Sequence, residues 1–415
     1  MLNSIESIIS SKNNWMLAHK EANDYLLSKK PQIKESIFIF RFFFRILFSL
    51  IGSVRVISLY FKQNKNNILA GKKIDHLIGS TQLGYNENLK YRYANYFKIY
   101  NSENKKKYFI FDEYDKYQFT GIYSLSLFDL FLEVNSNAKE SAGFISQIND
   151  VNFKKLTLLF TIQNLSFFSY FSLLFRSLKK INHNLEFFNG GSELFACAAI
   201  NEDVKTNLLK HGLMSRVSKL SFIDYSNIYV YSSDEKEYLD KINKQTLVRT
   251  YKFTKIKKRM SRVLILGNPI NLTQSNELKL ISEISIFFND LNFETFYKYH
   301  PSVTKIEQKK ISAKLNIATI NNKADCNKII HEILPMFCFG WRSTGLCESL
   351  NAGVIPVTTA MEAESSLLSQ YNFIYPFHKK SLSWDLDQML IKKLSNENYK
   401  YEEILSKLIS SDFYR

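Results

Sequence analysis

The sequence predicts an α/β protein made of two parallel-sheet units in tandem. Short apolar runs alternate with helical segments from residue 74 to residue 231, and again from 263 to 357. Most of these runs end in Gly, His, Asp or Asn. A charged segment, Arg249 to Arg262, separates the two series and reads as a linker. Strands alternating with helices imply parallel sheets with crossover helices. The chain of 415 residues accommodates two or three such units at roughly 100–200 residues each.

The expected organisation has four parts: a helical region over 1–65, a first Rossmann-like unit over 66–250, a second over 251–385, and C-terminal helices over 386–415 that cross back to the first unit. The stretch Ile37 to Phe61 is the most apolar, but Arg41, Arg45 and Arg55 interrupt it. A spanning helix wants about 20 uninterrupted apolar residues, so a transmembrane helix is not expected. The stretch either lies in a membrane interface or packs as a buried helix. No secretory pattern is read in the first 30 residues, and a cytoplasmic enzyme, peripheral on the inner membrane face, is expected.

In the first unit, strands are expected at Ile74–Gly79, Tyr108–Phe111, Leu156–Thr161, Leu185–Phe188, Asn207–Lys210 and Ile228–Tyr231, with a helix over Glu193–Asn201. In the second, strands are expected at Val263–Leu266, Thr295–Tyr299, Met336–Phe339 and Val354–Val357. Helices are expected over Glu277–Asn289 and Gly345–Asn351. Ligands of such sheets bind beyond the carboxyl ends of the strands.

Composition excludes several classes. With 4 Cys, 13 Gly and 6 Pro, neither a disulfide framework nor a collagen-like chain is expected. The 55 basic residues outnumber the 39 acidic ones, and the net charge of +16 favours anionic partners such as nucleotides or lipid headgroups. No P-loop and no GxGxxG fingerprint follows the first strands, and Cys197, Cys326, Cys338 and Cys347 lack paired zinc spacing. No Asp-x-Asp pair and no nucleic-acid module is present, so neither a metal nor a specific nucleic acid is expected.

Four constellations carry chemistry. Gly340-Trp341-Arg342-Ser343-Thr344-Gly345 runs from a strand into a helix, where free backbone N–H groups and two hydroxyls suit a phosphate. Ser343 or Thr344 is equally an N-cap. Glu348 lies one turn further, placed to accept from ribose hydroxyls. Lys298-Tyr299-His300-Pro301 ends a strand, where His300 can donate to a phosphate oxygen or protonate a leaving phosphate. Gly267 and Asn268 end the neighbouring strand and join the same donor-binding set. Asn189-Gly190-Gly191-Ser192-Glu193 opens a helix whose dipole favours the Glu193 carboxylate, a candidate base. Lys210-His211-Gly212 ends another strand and makes His211 a second candidate, with Asp112 a third.

The pair His300-Pro301 followed by Ser343-Thr344 resembles the His-Pro and Ser-Ser/Thr motifs of bacterial sialyltransferases. The resemblance covers about 30 residues of the 415. It implies a GT-B fold, with two Rossmann-like domains facing a central cleft, and a metal-independent transfer of a CMP-activated nonulosonic acid (sialic, legionaminic or pseudaminic). It also implies that both motifs hold the CMP phosphate. The family's acidic Asp/Glu-Asp/Glu-Gly motif is replaced here by Asn189-Gly190-Gly191-Ser192-Glu193, so the base is Glu193, His211 or Asp112. His211-Gly212 also resembles the His-Gly strand end of capsule and lipopolysaccharide glycosyltransferases. The expected acceptor is a glycan of that kind, carried on a lipid at the cytoplasmic membrane surface. A transferase using CMP-Kdo or CDP-glycerol, or a non-catalytic polysaccharide-binding scaffold, are the alternatives.

Overall fold

The computed structural model describes residues 14–18, 25, 38–62, 69, 72–80, 96, 99, 106–112, 123–210, 225–231, 233–242, 246–268, 275–321, 324–341, 343–358, 381–397 and 400–410. Two parallel sheets of six strands organise them. The first contains β1 (His76–Ser80), β2 (Tyr108–Asp112), β3 (Glu186–Asn189), β4 (Lys205–Leu209), β5 (Asn227–Val230) and β6 (Leu247–Thr250), in the order β2-β1-β3-β4-β5-β6. The second contains β7 (Met260–Leu266), β8 (Glu294–Lys298), β9 (Ala318–Ile320), β10 (Pro335–Phe339), β11 (Ile355–Thr358) and β12 (Leu382–Ser383), in the order β12-β11-β10-β7-β8-β9.

Both orders reverse direction once. The first does so between β1 and β3, the second between β7 and β10. At such a switch point the two following loops diverge to opposite faces and leave a crevice at the strand ends. The second order is the Rossmann order. These two crevices fix where a site can form.

The helices among the described residues are α1 (Phe38–Lys62), α2 (Leu127–Gln147), α3 (Val151–Ile181), α4 (Glu193–Asn201), α5 (Ser233–Ile242) and α6 (Ser275–Asp290). They continue as α7 (Lys305–Ser312), α8 (Cys326–Ile333), α9 (Thr344–Ala352), α10 (Gln388–Glu397) and α11 (Tyr401–Ser410). The run Leu156–Thr161, expected as a strand, lies inside α3. Its apolar residues fit either element, because a short run does not fix the period. Asp150 settles it by capping the helix start, accepting from Phe153 N at 2.9 Å. Phe160, Leu165, Phe168 and Phe175 of α3 are buried against the first sheet and its helices.

Helix α1 is one unbroken element of 25 residues, packed along α2 and α3. By length and composition, α1 and α3 are both apolar enough to cross a membrane, but α3 is a core helix and α1 is buried on one face only. Gly52 makes the close approach possible, since a Cβ there would lie 2.6 Å from Val134 Cγ1.

The segment Arg249–Arg262 is not a solvated linker. It begins as β6 and ends as β7, and Tyr251 and Ile256 between them are buried. Ile256 N donates to Ala352 O at 2.9 Å, which ties it to the end of α9. The C-terminal helices likewise differ from expectation. Tyr401, Ile404, Leu405 and Leu408 pack into the core of the second sheet, not the first. The buried Tyr401 hydroxyl donates to Met336 O at 2.6 Å and accepts from Ile355 N at 3.0 Å. Tyr401→Phe should leave two buried strand groups short of a partner and cost about 1–3 kcal/mol. Chemical denaturation of the two proteins measures this, and equal midpoints would contradict it.

The two units meet at the strand ends of the first. Tyr229, Tyr231 and Tyr251 share a core with Leu264, Leu266, Cys347 and Val354 of the second. Asn351 Nδ2 donates to Tyr231 O at 3.0 Å. The carboxyl ends of β5 and β6 therefore face α9, the helix that follows β10. This is the two-sheet arrangement of a GT-B fold.

Candidate active site

The second switch point is built from Gly267, Asn268, Ser343 and the start of α9. Gly267 N donates to Lys298 O at 2.9 Å, extending the β7–β8 pairing beyond the last strand residue. A Cβ on Gly267 would sit 2.5 Å from the Tyr297 hydroxyl, so the chain needs glycine there. Ser343 is the N-cap of α9, its Oγ accepting from Gly345 N at 3.2 Å. Of the two roles open to this hydroxyl, the structure thus shows the capping one. Thr344 is the first helical residue, and the N–H groups of this helix start point beyond the strand end.

Gly345 is held tightly. A Cβ at this position would lie 2.6 Å from Leu266 Cδ1 and 2.7 Å from Cys326 Sγ. Gly345→Ala should overpack the junction of β7, α8 and α9 at a cost of about 1–3 kcal/mol. Thermal melting is the check, and an unchanged Tm would mean the junction relaxes freely.

His300 follows β8, on the far side of β7 from Ser343. Two strand spacings of about 4.8 Å separate the ends of β8 and β10. His300 Nδ1 accepts from Ser302 N at 3.2 Å and contacts Ser302 Oγ at 2.7 Å. That bond places the proton of the neutral ring on Nε2, the nitrogen that can donate to an anion. Pro301 starts the turn that Val303 N closes by donating to His300 O at 3.0 Å.

Lys298, the last residue of β8, and Glu348, one turn into α9, are both buried. Lys298 Nζ donates to Tyr299 O at 3.4 Å. Burial lowers its pKa, while Cys326, Asp325 and Glu348 act in the opposite direction. Glu348 reaches across the units as well. It helps to raise the pKa of Tyr251, after burial, Tyr231 and Glu235.

The first switch point presents Asn189-Gly190-Gly191-Ser192 between β3 and α4. Buried Asn189 staples this loop. Its Nδ2 donates to Ser192 O and to the Tyr225 hydroxyl, both at 3.1 Å, and its Oδ1 accepts from Gly191 N at 2.6 Å. Gly191 adopts φ +144°, a conformation open to glycine. Glu193 is the first residue of α4 and is half-buried. Burial pushes its pKa up to about 7, against the pull of Lys210. Such a carboxyl holds or releases a proton near neutrality, as a general base requires.

Three residues outside the expected site complete the picture. Lys210, at the end of β4, has its pKa lowered by burial and raised by Glu235 and Glu193. Tyr251 donates to Lys210 O at 2.9 Å, and Tyr231 N donates to buried Glu235 Oε2 at 3.0 Å. Glu193, Lys210, Glu235, Tyr251 and Glu348 thus form an electrostatic chain between the two switch points. No spacing in the sequence signals it, because its members meet only where the two units pack. Of the other candidate bases, His211 lies outside the described residues. Asp112 closes β2, where its backbone pairs with Ser80 two strands from Glu193, and its side chain is also outside them.

No family model matches the sequence. No curated protein matches it either. Among solved structures, the chain is similar to S. aureus MnaA with UDP, at 10% identity and TM-score 0.45, over 82% of this chain and 92% of that one. It is similar to Phytolacca americana UGT2 with UDP-2fluoro-glucose and pterostilbene, at 9% identity and TM-score 0.41, over 82% and 94%. The pneumococcal O-GlcNAc transferase GtfA with UDP and GlcNAc follows at 10% identity and TM-score 0.33, over 59% and 56%. Likeness at this level assigns no activity.

Proposed function

We propose that this chain is an inverting glycosyltransferase that moves a nonulosonic acid from its CMP donor to a hydroxyl of a lipid-carried capsule or lipopolysaccharide glycan. The observation that supports the reading is a pair of switch points: one offers a carboxyl whose pKa burial pushes up to about 7, the other a helix start two strands from a histidine. The resemblance of His300-Pro301 and Ser343-Thr344 to sialyltransferase motifs supports CMP as the nucleotide.

In this mechanism Glu193 takes the proton of the acceptor hydroxyl as that oxygen attacks the anomeric carbon. The bond from that carbon to the CMP phosphate oxygen breaks, and the electron pair leaves with CMP. His300 Nε2 and the N–H groups at the start of α9 meet the growing phosphate charge. Fixed donors of this kind stabilise a leaving anion without having to reorganise. Lys298 adds positive potential from behind, and Glu348 faces the ribose hydroxyls. Gly267 and Asn268 line the floor of the same crevice. No residue here is assigned to a metal.

The test is incubation of the purified chain with CMP-sialic, CMP-legionaminic and CMP-pseudaminic acids, CMP-Kdo, CDP-glycerol and UDP-sugars, with detection of the released nucleotide. CMP release from a nonulosonate donor supports the reading. Release from another donor alone moves the chain to that chemistry, and release from none removes the enzymatic assignment.

A further inference from the structure

The outer face of α1 is apolar along its whole length. Ile39, Phe43, Ile46, Leu50, Val54 and Phe61 recur at helical spacing, and each is between 45% and 78% exposed. Residues at this spacing share one side of a helix. The basic residues of α1 lie off this stripe, and Arg41, Arg45 and Lys62 among them are exposed to solvent. Arg41 packs over Gly143 of α2, 3.6 Å from the position of a Cβ there, and Arg55 donates to Ile162 O of α3. The helix is thus apolar on its inner side, where Phe48, Val56 and Leu59 are buried, and along its outer stripe as well. Exposed Phe128 and Leu132 of α2 extend the apolar surface beside the C-terminal half of α1.

We infer that this face is a membrane-docking surface, and that α1 lies in the plane of an anionic bilayer with its stripe immersed in the acyl boundary. Several observations choose this occupant. The stripe from Ile39 to Phe61 runs roughly 33 Å at about 1.5 Å per residue. It suits the in-plane insertion of an amphipathic helix. Charge points the same way. The helix has Arg41, Arg45, Arg55 and Lys62 and no acidic residue, on a chain of net charge +16. Two copies of such a surface repel, whereas anionic headgroups attract it. A spanning orientation conflicts with the packing, because Gly52 at mid-helix is pressed between Val134 of α2 and Leu165 of α3. This inference does not depend on the donor or on the chemistry proposed above.

Flotation of the full chain with vesicles tests it. Binding is expected to equimolar phosphatidylcholine–phosphatidylglycerol vesicles, to weaken with added salt, and to be much lower on phosphatidylcholine alone. Leu50→Glu with Val54→Glu changes two exposed side chains and should lower vesicle binding at least about tenfold, with the melting curve retained. Equal binding by this variant would overturn the inference. So would a parent protein that sediments as a dimer, becomes monomeric in the variant and never floats. Nitroxides at Phe43→Cys, Leu50→Cys and Phe61→Cys should report one shared depth. A depth that changes by about 27 Å between the outer two would show a crossing helix and overturn the in-plane orientation.

Discussion

Glu193→Gln is expected to lower turnover by about 10²- to 10⁴-fold while CMP binding stays as in the parent. The same substitution should remove the acidic limb of the pH–rate profile. In the parent, Glu193 is protonated below its pKa of about 7 and is a base only above it, so the rate should rise with pH through that value. The effect on stability has the opposite sign. A carboxyl whose pKa rises from 4.5 to about 7 on folding binds its proton more tightly in the native state. Its contribution is therefore fully present below the unfolded value and is lost as pH rises through the folded one. Above neutrality the parent carries a half-buried charge that Gln does not. Glu193→Gln should then be more stable than the parent at pH 8, by about 2 kcal/mol. Urea titrations of both proteins at acid and alkaline pH measure this. A loss of activity without the gain in stability would place the residue in the architecture of the α4 start and not in proton transfer.

His300→Ala should cost about 10²- to 10³-fold in kcat, because in the proposed mechanism it removes a donor to the departing phosphate. Ser302 N loses its acceptor in the same variant, so His300→Asn serves as a partner test: an amide can hold the turn but cannot give up a proton. If His300 protonates the phosphate, Asn restores folding and not turnover. Should Asn restore both, the imidazole acts as a hydrogen-bond donor alone. Ser343 behaves differently. Its Oγ already accepts from Gly345 N, so Ser343→Ala should lose about 1 kcal/mol of stability. Ser343→Asp keeps the cap but brings a negative charge to the phosphate position. It is expected to retain the Tm and to raise the KM for the donor sharply.

The second unit was legible because its chain is punctuated. Gly267, His300-Pro301, Gly340 and Gly353 stop strands and helices, and the apolar runs between them are short enough to be strands. Strands β7, β8, β10 and β11 and helix α9 accordingly lie where the spacing placed them, with ends displaced by a few residues. Glu193–Asn201 is α4 with both bounds as expected. Four kinds of feature were hidden. The 31-residue α3 contains no Gly or Pro, so nothing in Leu156–Thr161 marks it as the middle of a helix. The strands β9 and β12, of 3 and 2 residues, are too short to carry a period. Strand β6 is masked by its own Arg, because a strand near the sheet edge tolerates charge. The electrostatic chain from Glu193 through Lys210, Glu235 and Tyr251 to Glu348 was hidden for a different reason. Its members are near each other only because β4, β5 and β6 end on one side and α9 comes to meet them. Sequence spacing within a unit says nothing about packing between units.

One nucleotide is expected to occupy the crevice beside β7. A crystal structure of the chain with CMP tests this most directly. The expected result is a phosphate within hydrogen-bonding distance of His300 Nε2 and of the N–H groups that open α9, with the ribose at Glu348 and the Glu193 carboxyl facing it from the other unit. A nucleotide seated elsewhere, with His300 and the α9 start untouched, would contradict the account.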